Sequence, residues 1–322
     1  MRGEPHAEVE ALRDAAARRN DVSGATLYVT LEPCNHSGAT PPCAQALLDA
    51  QLARVVVGVL DPNPTAAGGA ARLRAAGVAV VVADDPWARS IVEEFSLALG
   101  SARPYLRLKL AASIDACAAP APGQRHWLTG GEAREYVREL RCIHDAVLVG
   151  AKTVRIDDPA LTVRPPRARR RPYVRAIACE DAPVSAEHAI FQTEAGYAPT
   201  IVLAPAGARE AFSALEDVAD VLYVGSPEAL KLDLQLALEA LRARGIASVL
   251  CEGGPVLGAR LIERDLVDRL DWLVAPVLLG GPQAVPALPV SAQGRTLRFD
   301  RVERLGPDVL LSAAFVAREN GV

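Results

Sequence analysis

Three side chains of metal-ligand type lie far apart along the chain, and the need to bring them to one point constrains the fold more than any other feature: His6, Cys34 and Cys43. One imidazole and two thiolates suit a tetrahedral zinc ion whose fourth position stays open, where a bound water ionises near neutral pH and attacks a ring carbon. Glu8, two positions past the histidine, reads as a proton shuttle rather than a ligand, moving the water proton to a ring nitrogen and a departing ammonia. That set is the layout of a hydrolytic deaminase. The cysteines belong to the run Thr-Leu-Glu-Pro-Cys-Asn-His-Ser-Gly-Ala-Thr-Pro-Pro-Cys, with eight residues between them instead of the usual Cys-x-x-Cys.

An even number of cysteines, six, also fits a disulfide scaffold. The chain opens Met-Arg-Gly-Glu-Pro with no charged-then-apolar leader, so reduced thiols and a cytoplasmic location are expected. Cys117, Cys142, Cys179 and Cys251 lack ligand spacing and read as free core cysteines. A chain of 322 residues, half of them apolar, suits two domains with separate cores. No apolar stretch is long enough to span a bilayer, so no membrane partner is expected. A net charge of −4 offers no general reason to expect nucleic acid. The exception is Arg164 to Arg175, six arginines in a proline-rich stretch; it reads as a solvated loop, with a phosphate contact as the second reading.

Strand-like apolar runs alternate with helical periodicity, which predicts an α/β protein. In the first unit, helices are expected over 6–18, 44–52, 67–76 and 87–99, and strands over 27–31, 55–60 and 78–82. Gly100-Ser101-Ala102-Arg103-Pro104 reads as a linker. In the second unit, strands are expected over 105–110, 146–149, 174–178, 200–203 and 248–251, and helices over 132–141, 232–244 and 255–264. Glu252-Gly253-Gly254 would close a strand and open a helix, where paired glycines let a ligand approach backbone amides that meet phosphate oxygens. Asp157-Asp158-Pro159 reads as a turn.

His6-Ala7-Glu8, Leu31-Glu32-Pro33-Cys34 with Thr40-Pro41-Pro42-Cys43, and Asp61-Pro62-Asn63-Pro64 resemble the deaminase half of the bifunctional riboflavin biosynthesis family RibD. The run Lys109 to Asp115, Trp127-Leu128-Thr129, Gly150 to Arg164 and Glu252-Gly253-Gly254 resemble its reductase half. The resemblance implies a cytidine-deaminase-like three-layer domain over residues 1–100, followed by a dihydrofolate-reductase-like domain over 104–322. It implies two reactions on a small phosphoribosyl pyrimidine. The 2-amino group of a diaminopyrimidinone ribosyl phosphate is removed with zinc; the ribosyl chain is then reduced to ribityl with NADPH. It further implies that Ala111, Trp127, Thr153, Asp157 and Gly254 face the cofactor, that Arg125, Leu161, Arg164 and Glu252 face substrate, and that the protein is a homo-oligomer.

Several positions depart from the family pattern. Only five residues precede His6, so the deaminase domain is expected to lack its usual first helix and strands and to be the weaker of the two activities. Ala39 replaces a usual basic residue, Ala116 a usual glycine and Arg125 a small hydroxyl residue, while Cys179 and Glu180 stand where an aspartate usually ends a strand near the cofactor. Two alternatives stay open. An unrelated cytidine- or guanine-type deaminase would share the zinc ligands without needing residues 104–322, and a non-catalytic ligand-binding descendant would bind without turnover. Activity confined to one half, the reductase, is a further possibility.

Overall fold

A computed structural model describes residues 5–37, 41–124, 126–163, 173–180, 182–192, 199–288 and 295–315. The chain separates into two compact units, residues 1–100 and 101–322.

The first unit comprises α1 (Ala7–Ala17), β1 (Thr26–Leu31), α2 (Cys43–Asp49), β2 (Arg54–Val59), α3 (Gly69–Ala75), β3 (Ala79–Val82) and α4 (Pro86–Ala98). Among the described residues its sheet has the order β1-β2-β3, parallel throughout. Parallel neighbours need a crossover helix, which α2 and α3 supply. Strand side chains alternate between faces, and Leu27, Val29, Val55, Val57, Val80 and Val82 form one core with Leu12 of α1, Leu47 of α2 and Leu73 of α3. The opposite face carries α4, whose buried Ala88 seats on Gly58. Helices therefore cover both faces of the sheet, the three-layer arrangement expected.

The second unit adds β4 (Tyr105–Ser113), β5 (Cys117–Ala119), α5 (Gly131–Ile143), β6 (Ala146–Gly150), α6 (Ala151–Asp157), β7 (Val174–Ala178), β8 (Thr200–Pro205), α7 (Arg209–Phe212), β9 (Ala219–Val224), α8 (Leu234–Ala243), β10 (Ser248–Cys251), α9 (Pro255–Glu263), β11 (Arg269–Ala275), β12 (Val285–Pro286), β13 (Leu297–Leu305) and β14 (Asp308–Phe315). The main sheet runs β13-β14-β11-β4-β10-β6-β7-β8-β9 among the described residues. From β11 to β9 it is parallel; β13 and β14 join antiparallel at one edge. Central strands such as β6 are apolar on both faces, as parallel strands covered by helices must be. One face packs Leu106, Leu148 and Leu203 against α8 and α9; the other packs Val147, Val149 and Val202 against Val154 of α6 and Phe212 of α7.

The expected strands and helices all form, with shifts of a few residues at their ends. His6 is the N-cap of α1 rather than a helical residue. The elements not anticipated are β5, α6, α7, β9 and the strands β11 to β14. Ala116 does take a left-handed backbone, φ +60°, at the place where glycine is usual, at a cost of about 1–2 kcal/mol. Arg175, grouped by sequence with a solvated arginine loop, instead lies fully buried on β7 and donates to the Gln192 carbonyl at 3.1 Å. Residues 164–172 of that run, with Arg164 itself, lie outside the described residues, as do Ala39 and Arg125.

Candidate active sites in the two units

In the first unit, the start of α1 supplies His6 and Glu8, the loop after β1 supplies Cys34, and the first residue of α2 supplies Cys43. The ligand atoms of His6, Cys34 and Cys43 all lie within 4.8 Å of one another. The His6 Nδ1 atom is 3.6 Å from Cys34 Sγ and 3.2 Å from Cys43 Sγ. Zinc with ordinary bond lengths places tetrahedral ligand atoms about 3.5–3.8 Å apart, so the donor set fits that ion. The Cys43 amide donates to Cys34 Sγ at 3.3 Å, and the Ala44 amide to the Cys34 carbonyl at 3.1 Å, which locks the cysteine loop onto the start of α2. Burial, the Glu8 carboxylate and the neighbouring Cys34 push the Cys43 thiol far above its usual value. A divalent cation reverses that balance, because it holds a coordinating thiol as thiolate. Both cysteines and Glu8 are buried while His6 is exposed, so the cluster reaches solvent on the histidine side.

Glu32 has a role that sequence did not reveal. Its buried carboxylate accepts the amides of Asp61 at 3.1 Å, Gly68 at 3.2 Å and Ala70 at 2.9 Å, tying the Asp61-Pro62-Asn63-Pro64 turn and the start of α3 to the strand end that carries Cys34. The sequence signal was an acidic residue in an otherwise apolar strand end. Gly69 lies against Pro33 so closely that an added Cβ would stand 1.8 Å from the Pro33 carbonyl oxygen.

In the second unit, a cavity of about 560 Å³ opens at the carboxyl ends of β4, β10, β6 and β7. The chain leaves β6 toward β7 but leaves β10 toward β11 on the other side of β4. Such a reversal leaves a crevice at the strand ends, where open α/β sheets bind ligands. Ala111, Thr153, Asp157, Glu252 and Gly254 all line it. Gly254 is the N-cap of α9, and its amide donates to Thr153 Oγ1 at 3.2 Å. Trp127, expected at the cofactor, is exposed beneath the Arg134 guanidinium and lies off the cavity wall. Leu161, expected at the substrate, is buried in the core and is not among the residues that line the cavity; its left-handed φ of +50° is one that a branched side chain rarely adopts.

Two further residues set the charge of Glu252, Lys109 from the cavity lining and Arg141 from outside it. The Arg141 guanidinium from α5 grips Glu252, donating to Oε2 at 2.9 Å, and reaches the Thr162 carbonyl at 3.2 Å. Lys109 from β4 faces the same carboxylate. Burial alone would raise the Glu252 pKa, but Arg141 and then Lys109 outweigh it and hold the carboxyl below its usual range. Burial lowers the Lys109 pKa, and Arg141 adds to this, against the opposing pull of Glu252. Lys109 was visible, with Arg107, as a charged residue in an otherwise largely apolar strand. Arg141 falls one turn after Val137 on the buried stripe of α5, a position where a charge needs a partner.

Residues 2–59 match the cytidine and deoxycytidylate deaminase zinc-binding region, and residues 104–311 match the RibD C-terminal domain. The chain is 37% identical over 330 residues to the riboflavin biosynthesis protein RibD of Escherichia coli, covering 96% of this chain and 86% of that one. It is 37% identical to the protein of the same name from Mycobacterium tuberculosis, covering 96% and 83%. Among solved structures, Acinetobacter baumannii RibD superimposes with a TM-score of 0.76 at 33% identity, covering 98% of this chain and 86% of that one. A Thermotoga maritima diaminohydroxyphosphoribosylaminopyrimidine deaminase/5-amino-6-(5-phosphoribosylamino)uracil reductase gives 0.77 at 30% identity with the same coverage.

Proposed function

The chain belongs to the RibD family of bifunctional riboflavin biosynthesis proteins, and from that premise we propose how its own residues carry the two reactions. It is a zinc-dependent deaminase and an NADPH-dependent reductase in one chain. Its substrate is the phosphoribosyl diaminopyrimidine, deaminated by residues 1–100 and then reduced on the ribosyl chain by residues 104–322. The observation that carries the deaminase assignment is the convergence of His6, Cys34 and Cys43 with Glu8 beside them.

His6, Cys34 and Cys43 hold the zinc ion. Bound there, zinc supplies a water of lowered pKa and a Lewis acid. Glu8, within hydrogen-bond reach of Cys43, holds the proton from that water and returns it to the ring nitrogen and the leaving amine. Glu32 keeps the cysteine loop and the start of α3 in register through its three amide contacts.

In the reductase unit, NADPH supplies the hydride. Ala111, Thr153, Asp157 and Gly254 position it along the cavity wall, with backbone amides at the start of α9 toward its phosphates. Glu252, held by Arg141, orients the ribosyl hydroxyls. Hydride arriving at the anomeric carbon of the ribosyl group would break that carbon's bond to the ring oxygen, and Lys109, which lines the cavity and whose ammonium burial makes more acidic, would give that oxygen its proton. Cytoplasmic residence accords with six free thiols, and assembly as a homo-oligomer with the exposed Phe299 and Val302 on the edge strand β13. No helix among the described residues is long and apolar enough to cross a membrane.

The test is two separate assays on the purified chain: ammonia release from the diaminopyrimidine phosphate, and NADPH oxidation with the deaminated product. Both proceed. Ammonia release that survives full zinc removal, or reduction that survives Glu252→Ala and Lys109→Met together at the original rate, refutes the residue assignment.

A further inference from the structure

The cavity crosses four strand ends in a row, from Lys109 on β4 past Glu252 after β10 and Gly150 after β6 to Ala178 and Glu180 after β7. Three strand spacings make that distance about 14 Å. A dinucleotide with its phosphates at the start of α9 and its reactive ring toward Lys109 therefore sends its adenosine ribose toward β7. The charged side chains on this part of the lining are Lys152, Arg155 and Asp157 of α6, the first two exposed, and Glu180.

Glu180 is held from two sides. Its carbonyl accepts the Leu232 amide at 3.0 Å, and its carboxylate pairs with Arg260, which reaches up from the second turn of α9. Arg155 in turn donates to the Ala182 and Pro183 carbonyls at 3.1 and 3.0 Å, which fixes the segment that follows Glu180. The carboxylate keeps about a quarter of its side-chain surface exposed, so it remains accessible to a ligand.

The geometry points to Glu180 as the residue that limits selection between NADPH and NADH in this chain. This rests on the assignment of the cavity as the cofactor site. A carboxylate at the adenosine ribose accepts the 2′-hydroxyl of NADH, whereas it repels the 2′-phosphate of NADPH, which favours arginine or lysine. Lys152 and Arg155 attract the phosphate; Glu180 and Asp157 oppose them, and Arg260, which is not part of the lining, offsets part of the Glu180 charge. The chain accordingly binds NADPH with less preference over NADH than Lys152 and Arg155 alone would give.

The experiment measures dissociation constants for NADPH and NADH by fluorescence titration with the full chain and two variants. In Glu180→Gln the carboxylate charge is gone, so the NADPH-to-NADH affinity ratio rises about tenfold, the size of the Coulomb interaction between one charge and a phosphate dianion at about 7 Å in water-like surroundings. In Arg260→Gln the Glu180 charge is no longer offset, and the ratio falls. NADH affinity shifts the less of the two in both. A merely structural pair would move both dinucleotides together, and that result overturns the inference. So does an unchanged ratio in Glu180→Gln when both dinucleotides still bind, which leaves the cofactor site itself intact. If the unmodified chain binds neither dinucleotide, the assignment of the cavity fails and the selectivity proposal with it.

Discussion

Gly69→Ala adds one carbon and should empty the zinc site without touching a ligand. The new Cβ would stand 1.8 Å from the Pro33 carbonyl oxygen and 2.9 Å from its carbon, whereas such contacts below 3.0 Å essentially do not occur, so one side must retreat by about 1.2 Å. Both neighbours are backbone, which leaves no flexible side chain to swing away. If the Pro33 segment yields, Cys34 moves with it, and zinc bond lengths tolerate only about 0.2 Å. If α3 yields, its amides at Gly68 and Ala70 leave the buried Glu32 carboxylate. Hydrogen bonds to a charged group contribute about 1.5–3 kcal/mol each, so the loss is about 3–6 kcal/mol. In a unit of this size that lowers the transition by roughly 12 °C or more. Zinc per chain by atomic absorption and a calorimetric melt give the two readouts, and NADPH oxidation serves as an internal control because the change lies in the other unit. A Gly69→Ala protein with stoichiometric zinc and an unshifted first-unit transition would show that Pro33 and α3 do not meet as described.

Other substitutions separate ligands from proton carriers and structural charges from exposed ones. Cys34→Ser should lose zinc, while Glu8→Gln should keep it and lose about 10²–10⁴-fold in ammonia release; metal analysis beside the assay distinguishes the two, and zinc lost from Glu8→Gln would make that residue a ligand. Arg141→Met leaves the buried Glu252 charge without its principal partner and should destabilise the second unit by about 3–5 kcal/mol at neutral pH, measured by urea unfolding. Glu252 has a depressed folded pKa, so its contribution is present above the unfolded value and fades as pH falls through the folded one; the gap between wild type and Arg141→Met should narrow in acid. Asp115 accepts the Ser113 hydroxyl and the amides of Leu279 and Gly280, which hold its pKa down to about 2. Its anchoring of the 279–280 turn should therefore persist well below pH 3.8 and fail only near pH 2; a carboxyl NMR titration with an unshifted midpoint would contradict those contacts.

Much of the fold follows from periodicities that local sequence carries. Leu27 to Leu31 and Val55 to Leu60 read as strands because alternate or continuous apolar residues have no other stable way to bury their faces, and α5 read as a helix from its apolar stripe. The cluster of His6, Cys34 and Cys43 was legible for a related reason: imidazole and thiol are the side-chain types that suit zinc, so their presence in one motif set marks a candidate site before the fold is known. The edge strand β13 was not legible. Its residues Leu297–Leu305 are mostly exposed on both sides, so they carry little alternation, and only pairing with β14 makes them a strand. Strand order likewise belongs to the tertiary structure: nothing local places β10 between β4 and β6, yet that insertion creates the crevice where Lys109, Arg141 and Glu252 meet from positions up to 143 residues apart. Glu32 and Arg141 show the general reason. A charged residue declares its own chemistry from sequence, but its role is set by the partner it must find once buried, and that partner is chosen by the packing of elements distant along the chain.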